Sequence, residues 1–153
     1  MALRSLGGEV KGGVVIPCIP ASDLITTITA AKAANTISTT VIGMLVKFTW
    51  ANNDEVDQAD TGEPFDGVIE DVIEDNLNTW MLSVRALRFS DESGNRHPVH
   101  SVGEYLYTGS PDLQKAVVVD TTAAYTVKPA TTYGDGAILS IDTTNALVKV
   151  LMD

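Results

Sequence analysis

The sequence predicts a mainly β domain, a small β-barrel or β-sandwich with an extended N-terminal arm and at most one short helix. Three observations lead there. Thr, Val, Ala and Ile fill much of the chain and aromatics make up only 6%, a bias toward pleated structure. Short apolar stretches recur at close intervals with Gly, Pro, Asn and Asp between them, the punctuation of a sandwich or barrel. Alternation of strands with long helical patterns, the mark of a parallel sheet, is not visible.

With 153 residues, 44% of them hydrophobic and 20% charged, the chain can bury one core without metal or disulfide staples. An arm is expected at residues 1–20 and a single β domain at 21–153. In the arm, Gly7, Gly8, Gly12 and Gly13 flank short charged pieces, and "VVIPCIP" follows. Pro17 and Pro20 resist both helix and central strand, so this apolar piece should run extended. It then has to cover its own domain or lie on a neighbour.

"SDLITTITAAKAAN" is the one helix candidate, with Ser22 or Asp23 as cap, Leu24, Ile25 and Ile28 as apolar face, and Asn35 as its end. Its threonines equally permit a strand. From Thr36 onward the pattern is β. "TVIGMLVKFTW" reads as a strand whose glycine marks a bulge or bend, and "NNDEVDQADTGEP" as a polar turn region. "FDGVIEDVI" and "TWMLSVRALRF" form two strands joined by "EDNLN". "DESGNRHP" is a loop, "GEYLYTG" a short strand, and "KAVVVD" and "AAYTVKPA" follow. "GAILSID-TTN-ALVKVLM" closes the chain as a hairpin. The two segments "FDGVIEDVIEDNLNTWMLSVRAL" and "GDGAILSIDTTNALVKVLMD" share one layout: Asp-Gly, an apolar strand, an Asn-containing turn and a second strand. They read as two hairpins built by similar rules.

Twenty acids against ten bases leave a net charge of -10. Binding to nucleic acid depends on clustered Lys and Arg, so neither nucleic acid nor an anionic membrane is an expected partner. Cys18 is the single cysteine. That excludes an intrachain disulfide and, with no apolar leader in "MALRSLGGEVKGG", fits synthesis in a reducing cytoplasm.

Several motifs suggest chemistry. Asp60-Thr61-Gly62 has the letters of an aspartic-protease loop, but Gln58 and Ala59 precede it within an acidic run. Its carboxylate would need a dry, shared-proton setting and a second copy of the chain. The Asp54–Asp66 region is rich in oxygen donors that suit calcium. As an EF-hand beginning at Asp57, however, it places Ala59 and Val68 at ligand positions; an irregular calcium site stays open. The acids of "GVIEDVIED" fall on both faces of a strand, the pattern of an edge or a bulge. His97 and His100 in "RHPVHS" have Pro98 between them and Cys18 far off in sequence, so a surface loop is favoured over zinc. No catalytic residue, metal or cofactor is assigned.

Two stretches carry a resemblance. "VIGMLVKFT…DEVDQADTGEPFDGVIEDV" sets a Gly-anchored strand before a polar stretch and a "GVI" strand. "SVGEYLYTGSPDLQKAVVVD…YGDGAILSIDTTNALVKVLMD" has a related order ending in a closing hairpin. Their order and spacing over Thr36 to Asp153 resemble the head decoration (capsid cement) proteins of tailed bacteriophages. The resemblance implies a compact β domain, commonly a homotrimer, without catalytic activity. Such a protein is made in the host bacterial cytoplasm and placed on the outer surface of the virion capsid. There it would cement neighbouring subunits of the major capsid protein against internal DNA pressure. The arm lies outside the resemblance, yet its apolar residues suit a reach across a subunit boundary. Leu3, Arg4, Val14, Val15, Ile16, Pro17, Ile19 and Pro20 are the partner-binding candidates. Two alternatives remain. One is an adhesion or carbohydrate-binding module using Trp50, Trp80, Tyr105 or Tyr107; the other is a homodimeric aspartic protease at Asp60.

Overall fold

The computed structural model describes residues 10–77, 79–90, 93, 95–120, 126–131, 134 and 136–152. A closed barrel of five strands dominates the fold. It comprises β2 (Val14–Pro20), β3 (Leu45–Phe48), β4 (Glu55–Gln58), β5 (Gly67–Asn76) and β6 (Thr79–Ala86), in the order β2-β4-β3-β5-β6. All contacts are antiparallel except the one that closes the ring, a parallel seam of two residue pairs, Ile19 with Glu55 and Pro20 with Val56.

"VVIPCIP" is extended, as its prolines require, and it covers its own domain: Val14 to Cys18 pair with Ala86 to Leu82 of β6. The prolines fit because of where their missing amides fall. Ile19 and Ala21 donate to the carbonyls of Asp54 and Val56, so odd-numbered amides of β2 face β4. Pro17 is odd and stands just before that seam begins. Pro20 faces β6, whose pairing has already ended at Cys18. Neither proline interrupts a ladder.

The expected helix is α1 (Ser22–Ala33), and its buried Leu24, Ile28 and Ala31 plug one side of the barrel. Ala21 takes the N-cap position, with Asp23 inside the first turn, so the caps expected at Ser22 or Asp23 are not used. Ile25 is largely exposed. Asn35 does end the helix. At φ 57° it lets its own amide reach the Lys32 carbonyl and that of Thr36 reach Ala31, a Schellman closure.

The strand expected from Thr36 starts later. Residues Ile37–Thr40 form a single helical turn, α2. The Thr36 carbonyl accepts both the amide and the hydroxyl of Thr40, each at 2.8 Å. This local closure outcompetes the β preference of threonine, and the chain extends only from Leu45.

The second half of the chain, joined by the N-terminal β1 (Val10–Gly12), adds a four-stranded sheet ordered β1-β9-β13-β12, with β9 (Ser101–Leu106), β12 (Ala137–Asp142) and β13 (Leu147–Met152). Two short ribbons complete it: β7 (Arg88–Ser90) with β8 (Arg96–Pro98), and β10 (Val117–Asp120) with β11 (Thr126–Pro129). The step from β1 into the barrel passes through Gly12 and Gly13, both left-handed (φ 82° and 70°). A side chain on either would strike a backbone carbonyl, of His100 or Ala86 respectively, so only glycine makes this crossing.

Both segments that share the Asp-Gly layout are antiparallel hairpins, β5–β6 and β12–β13. They also share a defect. Each first strand bulges three residues after its leading glycine, between Ile69 and Asp71 and between Ile138 and Ser140. The charges on both faces of "GVIEDVIED" sit at this bulge and beyond it, where β5 leaves the core and becomes exposed.

Two cores result. One fills the barrel, with Cys18, Leu24, Ile28, Val46, Ile69 and Leu82 among its members. The other lies between the outer barrel wall (Leu45, Phe65, Val68) and the later strands (Tyr105, Ile138, Val150). Adjacent residues on one strand, Leu45 and Val46 or Val68 and Ile69, therefore point into different cores.

Candidate functional site

The Asp60–Pro64 turn joins β4 to β5. The Glu63 amide donates to the Asp60 carbonyl at 3.0 Å, and Gly62 supplies the positive φ (87°) at the third position, as a type II turn demands. The Gly62 amide then donates to the Val119 carbonyl at 2.7 Å, tying the turn to β10. The Asp60 side chain is 80% exposed, the opposite of the dry setting a shared-proton carboxylate needs. Glu63 is the better-held acid, bonded to Lys47 Nζ (2.7 Å) and to the Asp60 amide (2.8 Å). Burial opposes its ionisation, but these two hydrogen bonds and the Lys47 charge together hold it below the ordinary carboxylate range. Asp57 is shifted upward, first by burial and then by Asp23 and Asp60 nearby. Among the described residues, no three His, Cys, Asp or Glu side chains converge as a metal site. Cys18 is buried in the barrel, and burial with the Asp54 charge pushes its thiol up to about 11. His97 and His100 are exposed in β8 and just before β9.

Two features of the described surface stand out. The first is the outer face of β2. Strand alternation sends Ile16 and Cys18 toward the barrel interior and Val15, Pro17 and Ile19 outward, where all three are exposed. Pairing continues this apolar row sideways: Pro17 stands opposite Ser83 on β6, and Met81, two residues on along that face, stands opposite Ile73 of β5. Met81 and Ile73 are also exposed. At its edge the row meets an ion pair, Arg85 Nε with Glu70 Oε1 at 2.5 Å, in which both side chains are mostly buried. Arg85 also donates to the Gly12 carbonyl (2.7 Å). Of the partner-binding candidates, Val15, Pro17 and Ile19 fall on this face, while Ile16 packs against the barrel core and Pro20 is buried. Val14 is exposed at the barrel end, and Leu3 and Arg4 lie outside the described residues.

The second feature is a cavity of about 240 Å³ at that end of the barrel. Ile16, Phe48 and Ala86 form its apolar lining, and the β3–β4 loop supplies Trp50, Asn52 and Asp54, followed by Glu55. Trp50 is 63% exposed and leans on Phe48, ring centroids 5.3 Å apart. Its φ of 59° is unusual for a bulky residue and costs of order 1–3 kcal/mol. The loop is otherwise well fixed. Thr49 Oγ1 and Asn52 Nδ2 donate to the two Glu55 oxygens at 2.6 and 2.8 Å, bonds that keep the Glu55 carboxyl below its usual range. Beside the cavity, the Asp66 carbonyl accepts the amides of Leu87 and of the lining residue Arg88. Arg88 is buried, and its guanidinium Nη2 lies 3.2 Å from Met152 Sδ of the second core. Of the four aromatic candidates, Trp50 alone has this open setting. Trp80 is buried with Nε1 donating to Thr29, Tyr105 is buried, and Tyr107 packs on the second core. In the sequence the polar partners around Trp50 read only as a turn; the visible signal is a tryptophan placed directly before "ANNDE".

No protein-family model matches the chain, and no curated protein or solved structure matches it either.

Proposed function

We propose that the protein is a non-catalytic structural component of a tailed-phage virion. As a homotrimer on the outer surface of the capsid, it would cement neighbouring subunits of the major capsid protein. The observation that carries this reading is the outward apolar row of Val15, Pro17 and Ile19, extended by Met81 and Ile73. Few proteins leave such side chains aligned on one rigid sheet face without a partner. Fully burying one aliphatic side chain is worth ~1.5–3 kcal/mol, so even part of that gain over several side chains, repeated in each subunit of an oligomer, supports tight retention. The layout resemblance over Thr36 to Asp153 supports the same reading, and the strong negative charge fits a surface that meets protein rather than nucleic acid.

The test is co-sedimentation of the pure protein with expanded, DNA-free heads assembled from a tailed-phage major capsid protein, with light scattering for its mass. A trimer that binds heads, and a Val15→Asp/Ile19→Asp variant that folds but is not retained, are the expected results. A monomer that ignores heads would overturn the proposal.

A further inference from the structure

We propose that the cavity at the open end of the barrel binds an alkylammonium group, an apolar stem ending in one primary amine, as in a lysine side chain. This site is separate from the β2 face and does not rest on the capsid reading. Its walls match the apolar half of that guest. Ile16, Ala86 and Phe48 line it, and the exposed indole of Trp50 leans on Phe48. The negative half comes from Asp54 and Glu55, which line the same cavity. Glu55 takes its hydrogen bonds from neutral donors, Thr49 and Asn52. Among the described residues, neither carboxylate forms an ion pair with a cation. Arg88 brings one positive charge to the lining, but it is buried with Nη2 beside Met152 Sδ of the second core. Buried Asp66 offsets that charge: its carbonyl accepts the Arg88 amide and its carboxylate the Phe48 amide. The cavity therefore joins apolar walls to an excess of negative charge.

That pairing selects the ligand class. An anion is repelled by both carboxylates, and a neutral apolar guest covers them without offering a donor. A divalent metal ion asks for about six oxygens, and no three acidic, His or Cys side chains converge among the described residues. An alkylammonium meets each condition. Its stem lies on the aliphatic wall, its charge meets the carboxylates, and a cation near an indole face gains a further attraction. A primary amine suits the site better than a quaternary one. Its three N–H donors use lone pairs that Asp54 and Glu55 still hold, whereas a fully methylated nitrogen has no donor. Size agrees: an apolar cavity of about 150 Å³ takes benzene, so about 240 Å³ holds a five-carbon stem with its ammonium.

The probe is pentylammonium, followed by NMR on nitrogen-15-labelled protein, whose two tryptophans give two indole N–H signals. Trp50→Phe assigns them, and Trp80, buried with its N–H on Thr29, is the internal control. Pentylammonium should shift the Trp50 signal to saturation and leave Trp80 in place. 1-Pentanol should bind about tenfold more weakly, pentyltrimethylammonium more weakly than the primary amine, and pentanoate not at all. Salt should weaken the amine and not the alcohol, a comparison that needs no variant and so decides even where a substitution fails to fold. In Trp50→Ala and in Asp54→Asn/Glu55→Gln, read from the backbone amides of Asn52 and Glu55, affinity for the amine should fall about tenfold. The double variant should also lose the preference for amine over alcohol. Acetyl-lysine methylamide, set against its norleucine counterpart, identifies the source. Binding of the lysine form alone assigns the site to a side chain of a protein partner, and its exclusion while pentylammonium binds assigns it to a free amine. No saturable Trp50 shift, alcohol or quaternary amine bound as tightly as pentylammonium, binding of pentanoate, or a double variant as strong as wild type would each overturn the proposal.

Discussion

The two bulged hairpins begin alike and end in different architectures. The strands of β5–β6 gain β2 and β3 as neighbours and are drawn into a ring that closes on itself. Those of β12–β13 gain β9 on one side, and β12 remains an edge. The cores differ accordingly. The buried members of the barrel core run from Cys18 to Val84, with Ile16 packed against them, whereas the second core needs Leu45, Ala59, Phe65 and Val68 from the barrel side. The barrel is thus self-sufficient, and the second sheet uses its outer wall as half of its own interior. Sequence alone sets a hairpin, but its neighbours decide whether its outer face is core or solvent.

The sharpest way to break this relation is Phe65→Ala. Phe65 is fully buried and meets Tyr105 edge-on at 5.6 Å, across the junction of barrel and sheet. A loss of about 3–5 kcal/mol is expected, with amide exchange rising first in β9 and β13 while β2 and β6 stay protected. Ile28→Ala, inside the barrel, should cost about 2–5 kcal/mol. There the expected pattern is the reverse: protection falls in barrel and sheet together, since the sheet cannot outlast its support. If Ile28→Ala spared the barrel and loosened only the sheet, the asymmetry would be mistaken.

Arg85 tests the link between the two regions, because it binds Glu70 within the barrel and the Gly12 carbonyl at the crossing to β1. Glu70→Gln should cost about 1.5–3 kcal/mol, the range for a hydrogen bond to a charged group, measured by chemical denaturation. The Lys47–Glu63 pair is half exposed, so its contribution is no more than about 1 kcal/mol. Since the Glu63 carboxyl is held below its unfolded value, that contribution is present above the ordinary carboxylate range and fades as pH falls through the lower, folded value. Glu63→Gln should flatten this part of the stability–pH profile. Asp57 has the opposite sign: its folded value is raised, chiefly by burial, so ionisation opposes folding as pH rises. Asp57→Asn should therefore give a small gain at neutral pH that vanishes in acid, read from melting temperatures at the two pH values.

Legibility follows sequence distance. Both hairpins can be read because their strands and turns are contiguous, and Asn35 can be read as a helix end because its role is local. The place of "VVIPCIP" cannot, since its partner β6 lies far downstream and its prolines argue against a central strand until the direction of each amide is known. The Thr36–Thr40 turn escapes the sequence because threonine hydroxyls satisfy a carbonyl that strand propensity ignores. At the site, Trp50 is visible as a candidate and Glu55 is close to it in sequence, but Ile16, Ala86 and Arg88 reach the same cavity only through the fold.

The late arrival of β6 has a consequence for synthesis. β2 is translated early and stays without its main partner until Ala86 has been added. At roughly 5–20 residues per second, that interval lasts on the order of several seconds. During it, an apolar, β-prone segment is open to other nascent chains, a recognised route to aggregation. Pro17 and Pro20 sit where the finished barrel needs no amide, so they cost the native ladder nothing, yet an intermolecular ladder would find the same two donors missing. The spacing that argues against a central strand acts as a safeguard on the ribosome.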